Sequence, residues 1–252
     1  MKIFNWIAGF AMSFAIVGVL AITIVQFVCF DTDWYAKEYA KYDVYQTVEM
    51  EGAELGKVTV RMIDYLQGVE ENLDIEAVVA GKTREFFNEK EKAHMADVKV
   101  IFDNIMFARN VCLVIFLFAG MYYLLAKRAG MKLLDYMPVS FAIIGAIFAV
   151  IALIAYIAIT FNFTGVFTAF HEFAFTNDLW LLDPSTDMLI RILPEGIFYD
   201  TADRIAKYLL ILGIGSVVAF PVLYYMKWNY NDIQKQLEKN RAKEDKSKIY
   251  VD

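Results

Sequence analysis

Four stretches of this chain are too long and too apolar to be left in water, and they limit what it can fold into. Residues 5–30 carry no charge. At about 1.5 Å per helical residue, that run crosses ~30 Å of hydrocarbon. Three more runs follow at 107–126, 137–161 and 205–226, each flanked by charged or polar residues, with Pro221 expected to kink the last. Inside a bilayer a segment must satisfy its own backbone hydrogen bonds, so the expected fold class is an all-α integral membrane protein with four transmembrane helices. Composition agrees, because 59% hydrophobic residues and a mean hydropathy of +0.44 exceed the roughly 45–50% apolar content of soluble domains.

The first run ends in Val28-Cys29-Phe30 before Asp31, without the small residues of a cleavage site, and reads as an uncleaved signal anchor. Lys127, Arg128 and Lys132 mark the connection after the second span as cytoplasmic. The tail does the same with Lys227, Lys235, Lys239, Arg241, Lys243, Lys246 and Lys248. Between the third and fourth spans, by contrast, Arg191 stands against Glu172, Asp178, Asp183, Asp187, Glu195, Asp200 and Asp203. That segment belongs outside, and the parity of the spans puts residues 31–106 there as well. The expected order is transmembrane helix 1 at 1–30, extracellular cap segment 1 at 31–106, helix 2 at 107–126, a cytoplasmic loop at 127–136, helix 3 at 137–161, extracellular cap segment 2 at 162–204, helix 4 at 205–226, and a charged cytoplasmic tail at 227–252. The cap reads as small and mainly helical, with helices at 34–45, 48–67 (ended by Gly68) and 84–105.

Charge and cysteine usage exclude several chemistries. The formal charge of −6 and the mixed-sign run at 82–99 form no basic stripe, so no nucleic-acid partner is expected. Cys29 and Cys112 each lie inside an apolar run, with no CxxC, and read as inert thiols. No GxSxG, HExxH or Walker loop is present.

Only two histidines occur, His94 and His171, and both fall in the outer segments. His94 shares a helical stripe with Phe87, Val98, Ile101 and Ile105, which points it inward. Asp97 or Glu91, one turn away, would fix its tautomer. His171 sits among Phe161, Phe163, Phe167, Phe170, Phe173 and Phe175, followed by Trp180. Such a dry setting keeps imidazole neutral and able to accept a proton. An ordinary core histidine at 94 and an aromatic interfacial belt around 171 are the competing readings. A metal site is a third, although neither histidine has another histidine or cysteine at ligand spacing. Asp183-Pro184 starts a turn, Ser185 is the expected cap of the helix that follows, and Asp183 and Asp187 suit a helix start.

Arg84-Glu85, His94 and Asp97-Val98-Lys99 in the first segment, then Phe170-His171, Trp180, Asp183-Pro184, Asp187, Leu189-Ile190 and Pro194-Glu195 in the second, together resemble the bacterial lipoprotein intramolecular transacylases. The resemblance runs in order from the first span to the fourth, including Tyr65-Leu66 ahead of a glycine, and omits only the charged tail. It implies an acyltransferase in the bacterial cell membrane, with both termini cytoplasmic and the active site at the outer face. Its partners would be diacylglyceryl-modified lipoproteins and membrane lipid. The sn-2 O-acyl chain would move to the α-amino group of the same lipoprotein's N-terminal cysteine, giving the lyso form without cofactor or metal.

By the same resemblance His94 and His171 would be the catalytic pair. Phe167, Phe170 and Trp180 would wall the pocket, and Asp97, Asp183 and Asp187 would orient it. Arg84, Glu85 and Tyr199 are further substrate-binding candidates, with Arg84, Tyr199, Trp180 or a backbone amide as oxyanion donor. Pro194-Glu195-Gly196-Ile197-Phe198-Tyr199 lacks the two consecutive phenylalanines expected there, which alters the pocket floor. A non-catalytic lipid- or lipoprotein-binding membrane protein and a lipoprotein acyl hydrolase are the alternative functions.

Overall fold

The computed structural model describes residues 2–128 and 136–249. Most of the expected inner loop, including Lys132, lies outside the described residues. Among those described, four helices are long and apolar enough to cross a membrane. The chain runs α1 (Lys2–Cys29), α2 (Thr32–Lys41), α3 (Val44–Thr47), α4 (Gly52–Gln67), β1 (Glu76–Val79), β2 (Lys82–Glu85), α5 (Glu89–Arg128), α6 (Met137–Ala174), α7 (Met188–Ile192) and α8 (Glu195–Ile249).

In lipid there is no hydrophobic gain from bringing two apolar helices together, so close packing falls to small residues and polar glue. Helices α6 and α8 lie side by side, and α1 packs on α5, α6 and α8. A Cβ built on Gly213 would lie 2.6 Å from the backbone nitrogen of Ala149, and one on Gly145 would lie 2.4 Å from the Ser216 side chain. Those two glycines let α6 and α8 touch backbone to backbone. Across α1 and α6, Ser13 and Ser140 share a hydrogen bond of 3.0 Å between hydroxyls. Arg109 on α5 donates to the Gln26 side chain on α1.

The lengths are what matter for function. At 40 residues α5 is about 60 Å long and at 38 residues α6 is about 57 Å, roughly twice the hydrocarbon thickness. Their apolar parts occupy one half each. His94 stands 13 residues, or about 20 Å, ahead of the apolar run that begins at Phe107, and His171 stands 10 residues, or about 15 Å, beyond the end of its run at Phe161. Both histidines are therefore carried beyond the spanning segments. Asn162, with φ −153° and ψ 66°, breaks α6 between the apolar half and the histidine half.

The two segments between the spans, 30–88 and 175–194, share one hydrophobic core with the helix ends beside them. Tyr39, Leu55, Val58, Met62, Phe86 and Phe87 from the first segment are buried with Met188, Leu189 and Ile192 from the second and Ile197 at the start of α8. Three expectations about this cap are corrected. The helix expected at 84–105 begins only at Glu89, because Arg84 and Glu85 lie on β2 of a hairpin in which Ala77 faces Arg84 and Val79 faces Lys82. The hairpin turns on Ala80 and Gly81, with φ of 51° and 75°, the left-handed pair that a two-residue turn between twisted strands requires. The helix expected at 48–67 begins at Gly52, and the one at 34–45 divides at Asp43, where φ is 52°. Gly68 ends α4 as expected, at φ 76°.

Gly213→Ala should destabilise the protein by about 1–3 kcal/mol, since the added methyl forces two backbones apart. Gly215→Ala, on the same helix with nothing within 4 Å of the new Cβ, should be neutral or slightly stabilising. Thermal unfolding in detergent compares the two.

Candidate active site

His94 lies on the second turn of α5. That helix starts where it does because Asn88 and Glu91 form a capping box: the Asn88 side-chain oxygen accepts the Glu91 N–H at 3.0 Å, and the Glu91 carboxylate accepts the Asn88 N–H at 2.7 Å. His171 lies on the last turn of α6. The helix ends at Phe175, whose backbone is extended and whose N–H donates to the His171 carbonyl at 2.9 Å. The two helix ends meet, and their imidazole rings stack with centroids 6.2 Å apart and planes 30° from parallel. Both rings are buried, at 6% and 8% exposure.

Aromatic rings enclose the pair. Phe167 is 4.1 Å from His171 between centroids, Trp180 is 5.0 Å and Phe170 is 5.4 Å. Phe175 touches both imidazoles, at 5.1 Å from His94 and 5.6 Å from His171. Sequence reasoning counted Phe175 only as one of six phenylalanines. Its position just past the last turn of the helix bearing His171 is the feature that marks it out. Phe163 and Phe198 extend the aromatic layer by packing on Phe167, and Tyr199 packs edge-on against Phe163 at 5.5 Å.

The two imidazoles differ in their hydrogen bonding. His171 Nδ1 lies 2.7 Å from the Phe167 carbonyl. A carbonyl oxygen only accepts, so Nδ1 carries the hydrogen and Nε2 presents its lone pair. His94 Nδ1 is buried with no hydrogen-bond partner. The expectation that Asp97 or Glu91 fixes its tautomer is corrected: Asp97 accepts from the Asn177 side chain at 2.9 Å, and the Glu91 carboxylate is occupied by Asn88 and Leu189 N–H groups.

Burial favours neutral rings. It pushes the His94 pKa down from the usual imidazole value to about 4, helped by the neighbouring His171 and, to a smaller extent, Lys90, while Asp97 pulls the other way. His171 is also lowered, by burial, against an opposing contribution from its bond to Phe167.

The remaining candidates divide into two groups. Asp187 stands at the joint between the segments, where it accepts from Asn88 Nδ2 at 2.9 Å and from the Asp183 N–H at 2.8 Å. Asp183 organises its own turn by accepting from the Ser185 N–H and hydroxyl. Ser185 therefore does not cap α7, whose N-cap position is Asp187. Arg84 and Glu85 are exposed on β2. Arg84 Nη2 contacts the Met188 sulfur at 3.1 Å, and Glu85 pairs with Lys92. Neither makes a described contact with an imidazole. Among the described residues, no group of three or more His, Cys, Asp or Glu side chains is arranged to hold a metal ion.

The family model of the lipoprotein intramolecular transacylase Lit matches residues 10–198. No curated protein sequence matches the chain. Among solved structures, it is similar to the membrane integral lipoprotein intramolecular transacylase Lit from Bacillus cereus, at 21% identity and a TM-score of 0.71, over 90% of this chain and 99% of that one. Two histidine-substituted forms of the same bacterial protein, to arginine and to alanine, match with TM-scores of 0.66 and 0.65, each at 21% identity.

The neutral state of His94 has a thermodynamic consequence. Between about 6.5 and about 4, only the unfolded chain takes up this proton, so stability falls as pH drops through that window. The contribution from His94 amounts to roughly 2 kcal/mol between pH 6.5 and pH 5. Denaturation of wild type and His94→Phe across that range should show a shallower acid loss in the variant.

Proposed function

The chain belongs to the lipoprotein intramolecular transacylase family, which makes it a membrane acyltransferase, and from that premise we propose how its own residues carry the reaction. The substrate is a diacylglyceryl-modified lipoprotein with a free α-amino group on its N-terminal cysteine. Its sn-2 acyl carbonyl is attacked by that amine, the new C–N bond forms, and the C–O bond to glycerol breaks. One proton leaves the nitrogen and one arrives at the glyceryl oxygen, so no external nucleophile or co-substrate is consumed.

The observation that carries this reading is the pair of buried, stacked imidazoles kept neutral in an aromatic enclosure. His171 is the general base: its Nδ1–H is held by the Phe167 carbonyl, which leaves Nε2 to take the amine proton and then return it to the departing oxygen. His94 remains a neutral ring and offers an N–H to the oxygen on which negative charge develops. Of the proposed oxyanion donors, Trp180 has its ring against His171, and Tyr199 is two rings removed, through Phe163 and Phe167. Phe167, Phe170 and Phe175 exclude water and hold amine and ester together. A near-attack pose is worth roughly 7–11 kcal/mol of the barrier.

Asp97, Asp183 and Asp187 act in this scheme through the loops they hold. Arg84 and Glu85 on the hairpin would meet the peptide beyond the reacting cysteine. Lys127 and Arg128 at the end of α5, Lys132 beyond it and the seven Lys and Arg residues of the tail support cytoplasmic termini, with the site at the outer leaflet where the lipid anchor of the substrate lies.

Tandem mass spectrometry of a model diacylglyceryl lipopeptide incubated with purified protein should reveal an isomer of unchanged total mass carrying an N-acyl cysteine. His94→Ala and His171→Ala should each lower its rate by at least about 100-fold, and a chelator should leave the wild-type rate unaltered. Release of free fatty acid would indicate an acyl hydrolase, and bound but unchanged substrate a binding protein.

A further inference from the structure

Glu91 is 1% exposed, and an ionisable side chain buried that deeply is rare without a full set of partners. A capping box ordinarily closes on its own helix. This one reaches across the cap. One oxygen of the Glu91 carboxylate accepts the Asn88 N–H, and the other accepts the N–H of Leu189, 98 residues further along the chain. Asn88 does the same in the opposite direction, with its side-chain oxygen on the Glu91 N–H and its amide donating to Asp187. Asp187 in turn fixes the Asp183 N–H, and Lys90, between Asn88 and Glu91 in sequence, donates to the Leu181 carbonyl beside Trp180.

The first turn of α5 and its cap are thus bonded to the second segment at three points, and Asp97, one turn beyond His94, adds a fourth through Asn177. Residues at i and i+3 share a helix face, so Glu91 lies one turn below His94 on the side turned toward the second segment.

We propose that Glu91, with Asn88, is a positioning latch that sets the distance of His94 from the second outer segment and thereby from His171 and Trp180. Glu91 touches neither imidazole in any described contact and takes no part in proton transfer. Its role is to hold one helix end against the other at the spacing the transfer needs. The inference rests on the acyl-transfer reading for its kinetic consequence, but its structural consequence stands apart from activity. With the latch open, the second segment lifts and solvent reaches the His94 ring.

Two readouts on the purified full-length protein test this. For N-acyl lipopeptide formation, Glu91→Gln and Asn88→Asp should each lower kcat about tenfold or more and leave KM within about twofold. Glutamine loses one of the two acceptor oxygens, and aspartate sets a carboxylate against Asp187. The double variant should fall no further than the worse single one, because both substitutions open the same latch. Independently of turnover, the rate of His94 acylation by diethyl pyrocarbonate, read by peptide mass spectrometry, should rise about tenfold in either variant. Multiplicative losses in the double variant, or KM rising in step with the fall in kcat, would overturn the latch, as would an unchanged His94 modification rate. A wild type that forms no N-acyl product would instead count against the acyl-transfer reading and leave the modification rates to decide the latch.

Discussion

A backbone amide inside hydrocarbon has no water to turn to, so each crossing of the bilayer must be a helix closed on its own hydrogen bonds. In this chain that rule does more than set the number of crossings. Once nucleated, α5 and α6 extend about 27 Å and about 20 Å beyond their apolar runs, and the histidines ride on those projections. A side chain on a projecting helix is held by the whole membrane-embedded half below it, which is the rigidity that the proposed chemistry requires. The close backbone contact at Gly145 and Gly213 locks the partner helix of α6 from which the second segment returns. The precision of the site is therefore built partly in the membrane, where no chemistry occurs.

The cap supplies what the helices cannot, namely a roof. Its core takes residues from both cap segments, so neither segment buries its apolar face alone. The joint between them is polar: Asn88 bonds both Glu91 and Asp187, while Phe167, Phe175 and Trp180 wall His171. Polar latching with apolar enclosure gives a defined spacing and a dry interior together. A dry interior is what holds both rings neutral, and neutral imidazole is the form that both accepts a proton and donates an N–H.

Much of this was readable from residues alone, for physical reasons. Charge-free runs as long as residues 5–30 have few alternatives to a span, and lone histidines on apolar stripes stand out. The hairpin was not readable, because its turn places Ala80 rather than Asn or Asp at a left-handed φ and β2 is wholly polar. The start of α5 was readable in principle, since Asn88-x-x-Glu91 is a capping box, yet the charged run before it looked equally helical. Phe175 was hidden among five other phenylalanines. What separates it from them is the extended backbone that ends α6, a tertiary outcome. The unpartnered Nδ1 of His94 also had no sequence trace, because Asp97 and Glu91 both lie one turn away and both are drawn off by partners 80 and 98 residues distant.

The proposed transfer depends on neutral imidazoles at His94 and His171, with the His171 hydrogen held on Nδ1 by the Phe167 carbonyl. Nitrogen-15 NMR of protein labelled at the histidine rings, recorded in micelles at pH 5.5, reads this directly. The predicted spectrum has no imidazolium signal from His94 and places the hydrogen of the neutral His171 ring on Nδ1. An imidazolium at His94, or a neutral His171 ring protonated on Nε2 with Nδ1 free, would contradict it.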